Sequence, residues 1–236
     1  MNAIGKRTTI DDLARSLGLT KSTVSRALND YPDISEKTRL RVRNAATALS
    51  YRPLSHAQAI KTGRVRSIGL VLQVSEHDGH RPFLADFLAG ITEASAAQDW
   101  TLTLATANST SDAVRLLEKL SQERKADGFI LPRTYSEDLR IDALRAAHIP
   151  FVLYGRTDNI ADCAWYDIAG EAAMFEAVET LYNLGHRRIG FVPGGAGYHY
   201  AKLRLHGYRD GLAAVGLDFD DQLISANAVD KPQGFN

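Results

Sequence analysis

Cysteine is nearly absent from this 236-residue chain; Cys163 is its single representative. It cannot close an intramolecular disulfide, which argues against a stapled secreted scaffold and fits a reducing compartment. No apolar run approaches the ~18 residues that a membrane span needs. The start, Met1-Asn-Ala-Ile-Gly-Lys-Arg-Thr-Thr, lacks the apolar stretch of a signal peptide. Low-complexity tracts are missing too. With 44% hydrophobic residues the chain can bury a sizeable core, so global disorder is a poor fit.

A net charge of zero conceals two opposite parts. Residues 1–66 carry 13 Lys and Arg against 5 Asp and Glu, a net +8, and the remainder carries 15 against 23, a net −8. A basic module on an acidic body suggests a polyanionic partner for the first part only. The alternative is a solvated basic face with no partner.

The basic part reads as short helices. Thr9 opens a first helix as an N-cap with an acid three residues on, and Ile10, Leu13, Ala14 and Leu17 follow at helical spacing. Gly18 ends it. Thr20 caps a second helix with Val24, Ala27 and Leu28 as its buried stripe, ended by Asn29-Asp30. Ser35 caps a third, with Val42, Ala45, Ala46 and Leu49 inward and Arg39, Arg41 and Arg43 outward. Two short helices on a tight turn form a helix-turn-helix pattern, whose second helix can enter a DNA major groove. Its outward residues are Lys21, Ser22, Ser25 and Arg26. Lys and Arg donate to guanine O6 and N7, and hydroxyls reach bases or phosphates.

These residues carry a resemblance. The block Thr23-Val-Ser-Arg-Ala-Leu-Asn29, continued by Ile34-Ser-Glu-Lys-Thr-Arg39 and Leu49-Ser-Tyr-Arg-Pro53, resembles the LacI family of bacterial transcription regulators. The resemblance implies base contacts from Lys21, Ser22 and Arg26, and phosphate contacts from Thr9, Thr23, Ser25 and Asn29. It also implies that the segment after Pro53 is a hinge helix. In the family that helix orders when two subunits meet on DNA, and its apolar wedge kinks the minor groove. Ile60 holds the wedge position and Ala57 the small position at the helix–helix contact. Leu54 and Gln58 depart from the family pattern, which removes polar contacts to DNA.

The acidic body alternates strands and helices. Strands are expected over 67–72, 100–105, 128–131 and 150–154, with helices over 83–98, 111–123 and 138–147 between them. This order predicts a parallel sheet with helices on both faces. A second series is expected: strand 164–168, helix 170–184, strand 188–192 and helix 201–215. Ligands of open α/β sheets bind beyond the carboxyl ends of the strands. Arg133 and Arg156 follow the third and fourth strands, and an Arg fork suits hydroxyl clamping; a surface salt bridge is the alternative for each.

By resemblance, the body is the family's two-lobed effector core, similar in shape to periplasmic sugar-binding proteins. Leu184-Gly-His-Arg-Arg-Ile-Gly-Phe-Val and Leu205-His-Gly-Tyr-Arg-Asp-Gly-Leu are family-like blocks. Phe83 and Arg204 take effector-binding positions there; a core Phe and a surface salt bridge are the alternatives. Ala169 stands where the family usually has Asp; Asp167, two residues earlier, is either a substitute acceptor or a solvated edge residue. The expected fold class is thus a small all-α helix-turn-helix domain followed by an α/β two-lobed periplasmic-binding-protein-like core. The boundaries are 1–52, a hinge and linker at 53–66, and a core at 67–236, divided into lobes 67–165 and 166–236. Family cores run further than Phe235-Asn236. A fragment, or a natural product cut in its second lobe, is expected to bind effector weakly and to expose apolar sheet edges.

The implied function is a cytoplasmic, homodimeric, sequence-specific regulator, a repressor by preference. It would read a pseudo-palindromic double-stranded operator under control of a small effector, a sugar. An enzyme is the remote alternative. Gly194-Gly-Ala-Gly197 lacks the third glycine of a nucleotide loop, no Gly-x-Ser-x-Gly elbow occurs, and the seven His are scattered. His77 and His80, beside Glu76 and Asp78, fit a solvated loop better than a metal site. No metal, cofactor or catalytic set is expected. A transport-type binding protein and a non-specific architectural DNA binder are the other rivals.

Overall fold

A computed structural model describes residues 8–51, 63–73, 82–195 and 197–225, with the backbone alone for residues 82 and 83. The expected hinge residues Ala57 and Ile60, and His77 and His80, lie outside the described residues. The chain divides into two compact units, Met1–Arg64 and Val65–Asn236.

The first unit is three helices set by their caps. Helix α1 (Ile10–Leu17) starts in a capping box. The Thr9 hydroxyl accepts from the Asp12 N–H, and the Asp12 carboxylate accepts from the Thr9 N–H. Gly18 closes it in the left-handed region, at φ 64°. Thr20 caps α2 (Lys21–Leu28) and Ser35 caps α3 (Glu36–Ala48). Leu13, Ala14, Val24, Ala27, Val42 and Ala46 bury one small core. Leu49, inward by its spacing in the sequence, is exposed; it is the C-cap residue of α3.

The second unit is built on a five-stranded parallel sheet in the order β2-β1-β3-β4-β5. Its strands are β1 (Ser67–Gln73), β2 (Thr101–Ala107), β3 (Gly128–Pro132), β4 (Phe151–Tyr154) and β5 (Ala164–Tyr166). Helix α4 (Pro82–Ala96) joins β1 to β2, α5 (Thr110–Gln122) joins β2 to β3, and α6 (Leu139–Ala146) joins β3 to β4. Alternation along the strands sends Val71, Phe129, Leu131 and Leu153 to the face covered by α5 and α6, where Leu117, Ile141 and Leu144 meet them. Ile68 and Ile130 point to the other face, toward Phe87 and Ile91 of α4. Gly69 allows close packing, since a Cβ there would fall 2.3 Å from the Phe129 ring.

Two expectations for the second series are corrected. The segment expected as its first strand instead pairs with β4 as the edge of the first sheet, in register Val152↔Ala164 to Tyr154↔Tyr166. All three residues of β5 are exposed, so no apolar pattern marks the sheet it joins. Residues 188–192 form no strand; Phe191 makes one parallel bridge to Ile224. Phe191 instead packs with Val178, Ile189, Tyr208 and Leu212 beneath α7 (Gly170–Asn183) and α8 (His199–Ala214). The Tyr208 hydroxyl donates to the Ile189 carbonyl at 2.8 Å. Among the described residues no helix is long and apolar enough to cross a membrane.

Candidate functional site: a polar helix face and an interlobe cleft

On α2 the buried stripe decides what is left outside. With Val24 and Ala27 facing the core, an α-helix of 3.6 residues per turn places Lys21, Ser22, Ser25, Arg26 and Asn29 on the opposite arc. Lys21, Ser22, Arg26 and Asn29 are exposed and Ser25 is half-buried. Thr23 sits beside this arc, half-buried, with its hydroxyl 2.9 Å from that of Thr20. Asn29 turns back to donate to the Ser25 carbonyl at 2.6 Å. Thr9 caps α1, and its hydroxyl donates to Asp12 at 2.7 Å. The two cations have partners: Lys21 Nζ lies 2.6 Å from Asp11, and Arg26 Nη2 lies 2.6 Å from Asp33. The Arg26 guanidinium also covers the Tyr31 ring at 5.0 Å. This face offers hydrogen-bond donors on a rigid element, the chemistry that base edges and phosphates accept.

In the core, a cleft of about 300 Å³ opens beyond the carboxyl ends of β3 and β4, as an open α/β sheet predisposes. Arg133, Thr134, Tyr154, Gly155, Asp167, Tyr200 and Arg204 are among its lining residues. Arg133 follows β3 with φ 51°, one of eight non-glycine residues with positive φ among the described residues. Arg204, on the first two turns of α8, lays its guanidinium over the Tyr200 ring at 4.7 Å. Gly170 leaves room for it, because a Cβ there would stand 3.3 Å from Arg204 Cγ.

Arg156 behaves differently from the expected clamp. Its Nε donates to Asp167 Oδ2 at 2.7 Å, and its Nη2 donates to both Glu171 oxygens at 2.9 and 2.8 Å. The Glu171 carboxylate, and after it Asp167, hold the guanidinium pKa above its ordinary value against the opposing effect of burial. In return, Arg156 holds the Glu171 carboxyl below its ordinary value. Arg156 therefore reaches the cleft through Asp167, whose other oxygen accepts from the Ile168 N–H at 2.8 Å. The structure thus brings Arg133, Asp167 and Arg204 to one cavity, with Arg156 behind them. Phe83 belongs to α4, and its side chain is outside the described residues.

Sequence reasoning missed Tyr154, Tyr200, Thr134 and Glu171. Tyr154 ends β4, so the strand-end rule could have found it; its ring lies 4.9 Å from that of Phe87. Glu171 sits in the first turn of α7, where an acid is favoured by the helix dipole. Tyr200 and Thr134 meet through a junction that only the fold creates. There Tyr135 bridges Tyr198, and the His199 N–H donates to the Thr134 carbonyl at 2.9 Å. Burial, then the Tyr198 hydroxyl, push the Tyr135 phenol up to about 12. The buried His199 ring holds Nδ1 3.3 Å from Asp158 without a hydrogen bond, and burial lowers its pKa.

Residues 9–54 match the family described as "Bacterial regulatory proteins, lacI family". Residues 65–236 match "Periplasmic binding proteins and sugar binding domain of LacI family". The HTH-type transcriptional regulator AglR of Rhizobium meliloti is 33% identical over 96% of this chain and 64% of that protein. The regulator RafR of Escherichia coli is 32% identical over 87% of this chain and 61% of that protein. Among solved structures, a CelR–cellobiose complex aligns with a TM-score of 0.60 at 27% identity, covering 93% of this chain and 65% of that one. A lac repressor dimer bound to operator and an anti-inducer shares the fold, with a TM-score of 0.75 at 22% identity over 90% of this chain and 64% of that one. The chain spans less than two thirds of the length of each of these relatives. With both of its units matched, the chain belongs to the LacI family of bacterial regulatory proteins.

Proposed function

We propose that this chain acts as a sequence-specific DNA-binding transcription regulator, a repressor, controlled by a sugar held in the core cleft. The exposed α2 face carries the reading: its donors stand on a capped helix, opposite a dry core. Lys21, Ser22 and Arg26 reach base edges, while Thr9, Thr23, Ser25 and Asn29 meet the phosphate backbone. A homodimer in the cytoplasm reads two half-sites of a pseudo-palindromic operator. Ala57 and Ile60 pair and wedge the hinge in the minor groove. In the cleft, Tyr154 and Tyr200 supply apolar wall to a sugar ring, and Arg133 and Arg204 donate to its hydroxyls. Asp167, held by Arg156, is the acceptor that replaces the family's usual Asp. The CelR–cellobiose complex and the sugar binding domain of the matched family description support a sugar as the effector class. Control requires that the sugar bind two lobe arrangements with different affinity, since a ligand with equal affinity for both shifts nothing.

The test is selection of bound sites from a random DNA pool at fixed salt, followed by variants. A palindrome is expected. Arg26→Ala should lose about 1–3 kcal/mol of discrimination at one base position. Ser25→Ala should weaken all sequences alike. Equal losses on selected and random DNA for Arg26→Ala would overturn the assignment.

A further inference from the structure

We propose that Asp11 and Asp33 determine specificity on the α2 face by neutralising the net charge of its two cations while leaving them able to donate to bases. The inference rests on the DNA-binding reading above. Asp11 lies in the first turn of α1 and reaches across to Lys21; Asp33 lies in the loop before α3 and reaches back to Arg26, each at 2.6 Å. Both carboxylates are about half exposed, at 46% and 50%, so neither pair is buried structure. Exposed pairs of this kind add little to folding. The module holds only five acids against 13 bases, and two of the five sit on the cations of the α2 face.

The chemical consequence is a choice between two acceptors. A phosphate is an anion, present at every sequence, and binds through net positive charge. A carboxylate beside the cation cancels that charge and repels the phosphate. A guanine edge is neutral and presents O6 and N7 as acceptors. Arg26 is ion-paired with Asp33 through Nη2, so its remaining N–H groups can turn to such an edge with the carboxylate still in place. Lys21 likewise has three N–H donors and one carboxylate partner among the described residues. The pairs therefore penalise backbone binding more than base reading, which is how like charge suppresses wrong partners.

The test uses the 236-residue chain, a mixed-sequence duplex, and the duplex most enriched by random-pool selection. Asp11→Asn and Asp33→Asn should each tighten binding to the mixed duplex about two- to fivefold, the scale of one exposed ion pair. Each should also steepen the plot of log K against log salt by about 0.9, one further phosphate contact. Binding to the enriched duplex should change less, so the specificity ratio falls. The Asp11→Asn gain should vanish in a Lys21→Ala background, and the Asp33→Asn gain in Arg26→Ala. Unchanged mixed-duplex binding, an equal gain on both duplexes, or a gain that survives loss of the cation would each overturn the proposal. The last outcome would reveal general repulsion by the carboxylates. Failure of the unsubstituted chain to bind or enrich any duplex would instead overturn the DNA-binding reading, and the proposal with it.

Discussion

The helical unit and the core hold their arginines in opposite ways. On α2, Arg26 meets one carboxylate, with the two side chains 44% and 50% exposed. In the core, Arg156 meets two carboxylates, and its own side chain is 20% exposed. Water competes for the first pair at little loss, whereas the second spans three segments: the loop after β4, the residue after β5, and the first turn of α7. An exposed pair contributes about 0–1 kcal/mol to folding and leaves N–H groups open to a ligand. A partly buried one leaves uncompensated charge when a partner is lost. Exposure therefore separates an arginine suited to taking a further partner from one that fixes a frame, although the residue type and the N–O distances are alike.

The strongest way to break the core frame is steric. Gly207 of α8 faces α7 so closely that a Cβ would fall 1.9 Å from the Glu171 carbonyl oxygen and 2.7 Å from its Cα. Those atoms are backbone, so α7 itself must move. Gly207→Ala is expected to lose about 3 kcal/mol or more of core stability in urea unfolding, beyond the usual range for overpacking. It should also carry Glu171 away from Arg156. Gly90→Ala is the control: nothing lies within 4 Å of its added Cβ, and α4 should gain about 0.5–1 kcal/mol from the lost backbone freedom. A Gly207→Ala protein as stable as its parent would show that α7 and α8 are not in this contact.

Next in size is removal of the guanidinium. Arg156→Ala leaves Asp167 and Glu171 without their partner and should destabilise the core by about 1–2 kcal/mol, below the range of a fully buried pair because Glu171 is one-third open. The pH dependence gives the sign. Arg156 lowers the Glu171 pKa in the fold from the ordinary 4.5. The contribution is then full above 4.5 and is lost as pH falls through the depressed value. Parent and variant should differ at pH 7 and converge in acid. A difference that persists unchanged in acid would assign the effect to packing of the Arg156 side chain.

What could be read beforehand follows from the range of the forces. Thr9, Gly18, Thr20 and Ser35 act on neighbours within a turn, so all three helices of the first unit were legible, and so was the exposed arc of α2. The cleft was legible where one rule reaches a strand end, as for Arg133. It was not legible where two distant segments meet. Nothing near Arg156 announces Glu171, and nothing near Thr134 announces His199. Edge strand β5 has no buried residue to reveal its sheet. Residues 188–192 look like a strand by apolar content, yet Ile189 and Phe191 are buried by Tyr208 and Leu212 with a single bridge to Ile224. Apolar content reports burial and cannot by itself name the partner.

The smallest effect is the one that sharpens the comparison most. If the α2 pairs serve binding and not folding, losing one should scarcely alter folding. Lys21→Ala removes a cation that is 62% exposed and bonded to a half-exposed Asp11, while the core residues Leu13, Val24 and Val42 stay untouched. Hydrogen exchange at the Leu13 and Val24 amides of the whole chain should change by less than about 0.5 kcal/mol, the scale of an ordinary surface substitution. Alanine is also a better helix former than lysine, which offsets part of any loss. A drop above about 1 kcal/mol would place the Lys21–Asp11 pair with Arg156 as part of the frame. The same substitution should still weaken binding to the enriched duplex, because Lys21 donates to DNA there. Small stability effect with large binding effect is the signature of the α2 face; large stability effect with acid convergence is that of the core.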